Sequence, residues 1–413
     1  MDLVIAQSCP SCGAEISLAE DDRLVRCPYC DVYNYRVTGS APRYLLPGRL
    51  PAAVDPAAVV HIPYLRFKGT VYEVGGEGVH HRIVDTTRLG IEEDDLPPSL
   101  GLRPQAMRLL PLIASRPGSY LRQSVPGEEA FNQAVAVAGL LRRRERRTLY
   151  HRAFIGETLS RIYQPCYLHG DTVFDGVVAR PLGGGELFSR HHSVAADPAW
   201  EPRFISSHCP RCSGGLEGER DTLVLRCRGC RSQWQEEGGR FVPVSSTMVP
   251  TSIRDALHLP FWRVTIVTEG VRLTGFGDYL RFTNQPLAVR PAFDSLPLSL
   301  WVPAFKLNPR SFLQLAAQLT LGQWRLPAAE EGFVDQAYGA NLPAREALQA
   351  VKTVLAHTTV SKKTSLPLLA ELRIARHETR LIYVPFVVRG LDYVEEHSGA
   401  ALLAAALRFG KTL

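Results

Sequence analysis

The chain has 413 residues, of which 45% are hydrophobic and 21% charged. This is an ordinary globular composition, long enough for roughly two to four domains, so its bulk stability does not call for metal or disulfide staples. The net charge of +6 is too small to diagnose a nucleic-acid partner. Residues 1–204 balance 23 basic against 23 acidic side chains, so all of the surplus belongs to the second half. The N-terminal residues carry no basic segment followed by an apolar run, and no window approaches about 18 uninterrupted apolar residues. The expectation is a soluble, cytoplasmic protein without a membrane span. In that reducing setting cysteines serve as metal ligands more often than as disulfides.

In chain order, the first feature is a four-cysteine set, Cys9, Cys12, Cys27 and Cys30, in which 14 residues separate two C-x-x-C pairs. Each pair forms a tight knuckle that aims two thiolates at one point, and a short hairpin through residues 15–18 and 23–26 brings the knuckles together. Four thiolates close a tetrahedron and leave no position for water, the mark of a structural zinc site. A rubredoxin-like iron site has the same pairing and stays open as an alternative. Strand-like runs follow at 64–67 and 70–74. A helix is expected near 128–152, with Phe131, Val135, Ala138 and Leu141 on one face, and then a strand at 162–167. Cys166 in this last run stands alone and reads as a small core residue. Residues 197–202 are polar and Pro-containing and mark a boundary.

The pattern then repeats. Cys209, Cys212, Cys227 and Cys230 restate the first set at an offset of 200, again with 14 intervening residues. The run 61–66 (HIPYLR) returns as 258–263 (HLPFWR), 96–100 as 296–300, and 157–165 as 378–385, which predicts a tandem duplication with loop insertions. Under it Cys166 corresponds to Phe386, which supports packing over nucleophilic chemistry. Strands are expected at 263–268, 271–275 and 381–388, helices near 310–320 and 344–356, and an Ala/Leu-rich helix over 399–409. The expected fold is α+β: two tandem copies of a four-cysteine zinc ribbon followed by a mixed sheet-and-helix domain. The corresponding boundaries are 1–40, 41–198, 203–243 and 244–413.

Catalytic signatures are missing. The run 275–280 (GFGDYL) starts like a dinucleotide fingerprint but lacks its last glycine, and 183–186 reads as a turn. His80-His81 and His191-His192 are read as solvated turns, because adjacent residues of a strand face opposite ways. His61 and His258 are expected to bond a backbone carbonyl at a strand start. The aromatic-basic runs 63–68 and 260–263 are read as core strands with the arginine outward, in preference to a base-stacking platform. Arg142, Arg143, Arg144, Arg146 and Arg147 form the densest basic cluster, suited to a helix C-terminus or to an anionic partner.

The paired C-x-x-C hairpins over residues 9–35 and 209–241 resemble the zinc ribbons of transcription-factor-IIB type and rubredoxin-like ribbons. The ribbon followed by an HxPxxR run is similar to bacterial tandem zinc-ribbon proteins of uncharacterised role. No activity attaches to that resemblance, and the two closed four-thiolate sets give the expectation of two structural Zn2+ per chain. The resulting expectation is a non-catalytic scaffold or adaptor that meets protein partners in a cytosolic assembly. Two alternatives stand beside it: nucleic-acid binding through the second ribbon and the arginine cluster at 142–147, and an enzyme with an unrecognised site between the two units.

Overall fold

The computed structural model describes residues 3–37, 39, 41–140 and 148–410. The chain is a mixed helix-and-strand protein with several sheets. Long antiparallel strands frame each half. In the N-terminal half, β1 (Val60–Gly75) runs between β2 (Gly78–Leu89) and β3 (Leu149–His169). Tyr64, Phe67, Val71, Tyr72 and Val74 of this central strand are essentially fully buried, as expected of an aromatic and β-branched run with neighbours on both sides. The amphipathic helix α1 (Glu129–Ala138) covers part of the sheet, with Ala130, Ala134 and Ala138 inward. In the C-terminal half, β4 (Leu257–Glu269) lies between β5 (Ser299–Pro303) and β6 (Arg373–Arg389). Helices α2 (Pro309–Gly322) and α3 (Ala344–Thr358) supply Phe312, Leu315, Leu319, Val351 and Val354 to its core.

The two strand pairs share a register. His61 faces Pro165 and Tyr64 faces Ile162; His258 faces Pro385 and Phe261 faces Ile382. Cys166 faces Val60 where Phe386 faces Leu257, and both are fully buried. A short parallel strand flanks the return strand in each half, Arg43–Leu45 beside β3 and Ser246–Met248 beside β6. The match of 96–100 to 296–300 does not hold in space. The Gly90 N–H donates to Pro63 O and the Ala304 N–H to Pro260 O, so Gly90 and Ala304 hold like places. Residues 96–100 therefore come after β2, the counterpart of the strand formed by Ser299–Pro303.

The four-cysteine segments are built into this frame. The hairpin Val4–Ser8/Glu15–Ala19 extends the N-terminal sheet through Arg108–Pro111. The next hairpin, Leu24–Arg26/Tyr33–Arg36, gains a third strand from Phe204–Ser206. The second segment is the meander Val224–Cys227, Ser232–Glu237, Arg240–Pro243. Leu24 and Tyr35 of the first pack with Leu216, Leu225 and Trp234 of the second in one small core.

Other expectations change. The helix expected to reach 152 ends at Gly139, whose left-handed φ of 55° caps it, and Leu149 already begins β3. The arginine cluster 142–147 and Leu141 lie outside the described residues. Residues 271–275 form no strand; Gly275 is instead the N-cap of helix Phe276–Thr283, with Asp278 reaching back to the Gly275 N–H. The Ala/Leu-rich end is a strand, Ala401–Leu403, and then a helix, Ala404–Gly410. His80 and His81 belong to β2, not to a turn.

Candidate functional sites: two four-cysteine clusters and a cavity between the halves

Each C-x-x-C knuckle is folded by its own backbone. The N–H groups of Cys9, Cys27 and Cys209 donate to the carbonyls of Ala14, Val32 and Gly214. The fourth residue after each leading cysteine takes a left-handed conformation: Gly13 at φ 77°, Asp31 at 58°, Ser213 at 60° and Arg231 at 54°. This corner turns the chain back so that both thiols face inward. The sulfur atoms then meet in two clusters, Cys9/Cys12/Cys27/Cys30 and Cys209/Cys212/Cys227/Cys230, all within 4.8 Å of one another. Cys9–Cys30 and Cys12–Cys27 are 3.9 and 3.7 Å apart, and Cys209–Cys230 and Cys212–Cys227 are 3.5 and 3.4 Å apart. A tetrahedral ion with metal–sulfur bonds of about 2.3 Å has sulfur edges of about 3.8 Å. The eight predicted ligands are thus gathered as two groups that can each hold a metal ion, and the donor sets fit one.

Cys166 is fully buried and its thiol is raised well above the usual range, by burial first and by Asp175 second. That environment suits a core residue, not a nucleophile. His61 Nδ1 lies 3.1 Å from Ser119 O, the expected strand-start contact. Arg66 departs from expectation. It points inward, is 0% exposed, and binds Asp85 with two hydrogen bonds of 2.8 Å and Glu20 with a third. A buried guanidinium is tolerable only with such pairing, and the acids come from β2 and from the turn of the first four-cysteine segment, both remote in sequence.

A further feature is a cavity of about 750 Å³ where the two halves and the two cysteine segments meet. Its walls include Asp21 from the first segment, Asp221 from the second, Glu157 from β3, and Lys306, Asn341 and Glu346 from the C-terminal half. Asp21 and Asp221 are separated by the same 200 positions as the cysteines, and both turns converge on one lysine. Lys306 Nζ donates to Asp21 Oδ2 at 2.9 Å. Burial works against its charge, but Asp21, Asp221 and Glu346 more than offset this and hold its pKa above the ordinary lysine value. Lys306 is therefore an ammonium, not an amine nucleophile. Asn341 fixes the group: its Oδ1 accepts from the Lys306 backbone N–H, and its Nδ2 donates to Asp221 Oδ2 at 2.5 Å.

Glu157 reaches the cavity because β3 bulges. Its register against β1 slips between Ile155 and Thr158, and Gly156 takes φ 67°. Opposite the bulge, a Cβ on Gly69 would lie 3.0 Å from the Glu157 Cα, a contact that glycine avoids. Glu346, in the first turn of α3, accepts from the freed Gly156 N–H at 2.5 Å. Burial and the adjacent Glu157 carboxylate push its pKa up to about 7. Bulges that re-aim a side chain are common beside functional sites.

These cavity residues were missed at the level of sequence because they share no motif. They lie on four loops, a bulge and a helix start. The 200-residue offset linking Asp21 to Asp221 was the one readable signal. Among the described residues, no helix is long and apolar enough to cross a membrane. No family model, no curated protein and no solved structure matches this chain, so its function has to be read from this geometry.

Proposed function

We propose that this chain is a metal-stapled binding protein that holds a small polar ligand in the cavity between its halves. The observation that carries the reading is the convergence of Asp21, Asp221, Glu157, Glu346 and Lys306, from every major part of the chain, on one space of ligand size. The two clusters are structural zinc ribbons, one ion each, that brace the turns bearing Asp21 and Asp221. Closed sets of four thiolates leave the zinc without a catalytic position. The matched strand registers and paired cysteine sets support a tandem duplication whose copies now face each other across the ligand. The carboxyl pair Glu157/Glu346 gives the site groups for proton transfer, which keeps the enzyme alternative tied to this same cavity.

The test is a ligand screen by thermal shift on the metal-loaded full chain and on Ala41→Trp, a substitution that fills the cavity from its lining. Ligands should raise the midpoint of the first and not of the second. Equal shifts in both proteins sink the reading. Elemental analysis should return about two zinc per chain; iron would show itself by visible absorption. A second reading, the adaptor in a protein assembly, draws on Val388, Leu391 and Leu403, which are 68%, 82% and 56% exposed on the two strands that flank Asp392–Val394 and on the turn that leads into it. Co-purifying protein that survives Leu391→Asp unchanged counts against it.

A further inference from the structure

The two cysteine clusters share their ligands and corners but differ in the groups behind the sulfurs. In the second, the Ser232 Oγ lies 3.0 Å from Cys230 Sγ and 3.7 Å from Cys209 Sγ, so one hydroxyl serves sulfurs from both knuckles. Its place is fixed by the Trp234 indole, whose Nε1–H donates to Ser232 Oγ at 2.7 Å. Both residues belong to the strand Ser232–Glu237 and, being two apart, share a face of it. An indole N–H only donates, so it occupies an oxygen lone pair and leaves the hydroxyl proton for sulfur. A metal-bound thiolate has no proton of its own, which makes Ser232 the donor once an ion is in place.

The first cluster, 200 positions earlier, lacks this arrangement. Val32 stands where Ser232 does, and Asn34 where Trp234 does. Asn34 Nδ2 donates to Ser11 Oγ at 3.1 Å, so the serine of that knuckle is engaged by an amide. Charge follows the same division. Arg211, Arg228 and Arg231 of the second set correspond to Ser11, Pro28 and Asp31 of the first. Arg228 is paired with Glu217, which leaves Arg211 and Arg231 as added positive charge next in sequence to Cys212 and Cys230. Both are exposed, so salt screens most of their effect, and the hydroxyl carries the larger difference. Four thiolates bring more negative charge than a divalent ion neutralises, and a donor aimed at sulfur stabilises the filled site against loss of the ion.

Resting on the reading that both clusters hold zinc, we infer that the two centres are unequal: the second, with Ser232 as a positioning residue held by Trp234, keeps its ion permanently, and the first is an exchangeable centre that follows the free-zinc level. The exchangeable ion is the one with reach. Its segment continues the N-terminal sheet through Arg108–Pro111, and its turn carries Glu20 to Arg66 and Asp21 to Lys306.

The experiment equilibrates the zinc-loaded full chain with a graded series of free-zinc buffers and measures zinc per chain by elemental analysis. Zinc should leave in two steps separated by roughly tenfold or more in free zinc. The looser step should vanish in Cys27→Ser and the tighter one in Cys227→Ser. Ser232→Val, which copies the first centre, should move only the tighter step, by roughly tenfold toward the looser, and Ser232→Thr should restore it. A readout that packing alone does not move is the sulfur-to-metal charge-transfer band of the cobalt-loaded chain: Ser232→Val should shift it and Ser232→Thr return it. If Ser232→Val does not fold, the order of the two steps in the parent and the cysteine variants decides. Loss of both ions in one step, a tighter step that vanishes in Cys27→Ser, or a Ser232→Val protein with either both steps or the band in place overturns the inference while the two-zinc reading stands. Uptake of fewer than two ions at saturating zinc removes that reading, and the inference with it.

Discussion

The two halves of the molecule carry the same strand register and the same cysteine geometry, yet they anchor their cysteine segments by different physics. In the N-terminal half an ionic anchor adds to the strand pairing. Arg66 on β1 is wholly buried and ties Glu20 of the segment to Asp85 of β2. At the like position of the C-terminal half, Arg263 is only half-buried, beside Arg380 and Glu378, and the second segment is held by hydrogen bonds, several of them to backbone carbonyls. The Leu223 N–H donates to Ala340 O, and Arg226 donates to Val334 O. One set of strand pairings thus supports either a buried charge cluster or a hydrogen-bonded seam over an apolar core. What matches between the halves is the ladder, and what differs is the side chemistry laid on it.

The comparison can be broken most forcefully at the metal clusters. Cys27→Ser and Cys227→Ser should each remove one metal per chain, measured by elemental analysis. The first should also lower the global thermal midpoint by roughly 10 °C or more, because its segment is continuous with the main sheet. Equal, purely local losses would show that the two segments are anchored alike. Next in size, Arg66→Met should cost roughly 3–5 kcal/mol in denaturant unfolding, since it leaves the buried Glu20 carboxylate without its partner. Arg263→Met should stay within about 1 kcal/mol. Comparable costs would erase the ionic-versus-seam distinction.

A smaller effect falls on Glu346. Its folded pKa is raised above the ordinary 4.5 to about 7, so the native state holds a proton that the unfolded chain has already lost between these values. Stability from this group is therefore fully present below about pH 4.5 and falls as pH rises through 7. Glu346→Gln should flatten that fall and gain roughly 2–3 kcal/mol at pH 8 relative to the parent; an unchanged pH slope contradicts the assignment. The smallest change is expected from Ser213→Gly, a gain of a few tenths to about 1 kcal/mol, because a left-handed corner favours glycine. A loss would mean that the Ser213 side chain matters in a way the corner does not reveal.

Much of the metal chemistry was legible from spacing. A C-x-x-C pair is a local object, and its thiols meet wherever the knuckle folds, so eight cysteines sort themselves into two clusters by arithmetic. The long strands were legible from their alternating apolar residues, and helices α2 and α3 from their period. The cavity was not, because Glu157, Lys306 and Glu346 become neighbours only through a bulge, a strand-end turn and a helix start. Arg66 misled for a related reason. An arginine in an alternating run reads as outward-facing, and only the arrival of Glu20 and Asp85 makes the inward place habitable. The end of α1 at Gly139 and the N-cap at Gly275 were local signals that the periodic pattern overrode.

The shared lysine has a mechanical consequence. Lys306 sits where the turns of both cysteine segments close, as a pin passes through two hinge leaves. The Arg23 and Leu24 N–H groups share the Arg220 carbonyl a few residues away, so the leaves are also stitched to each other. A ligand that draws Asp21 or Glu346 away from Lys306 would loosen the pin without touching either metal. Occupancy of the cavity would then be readable at a distance, as faster amide hydrogen exchange at Arg23 and Leu24.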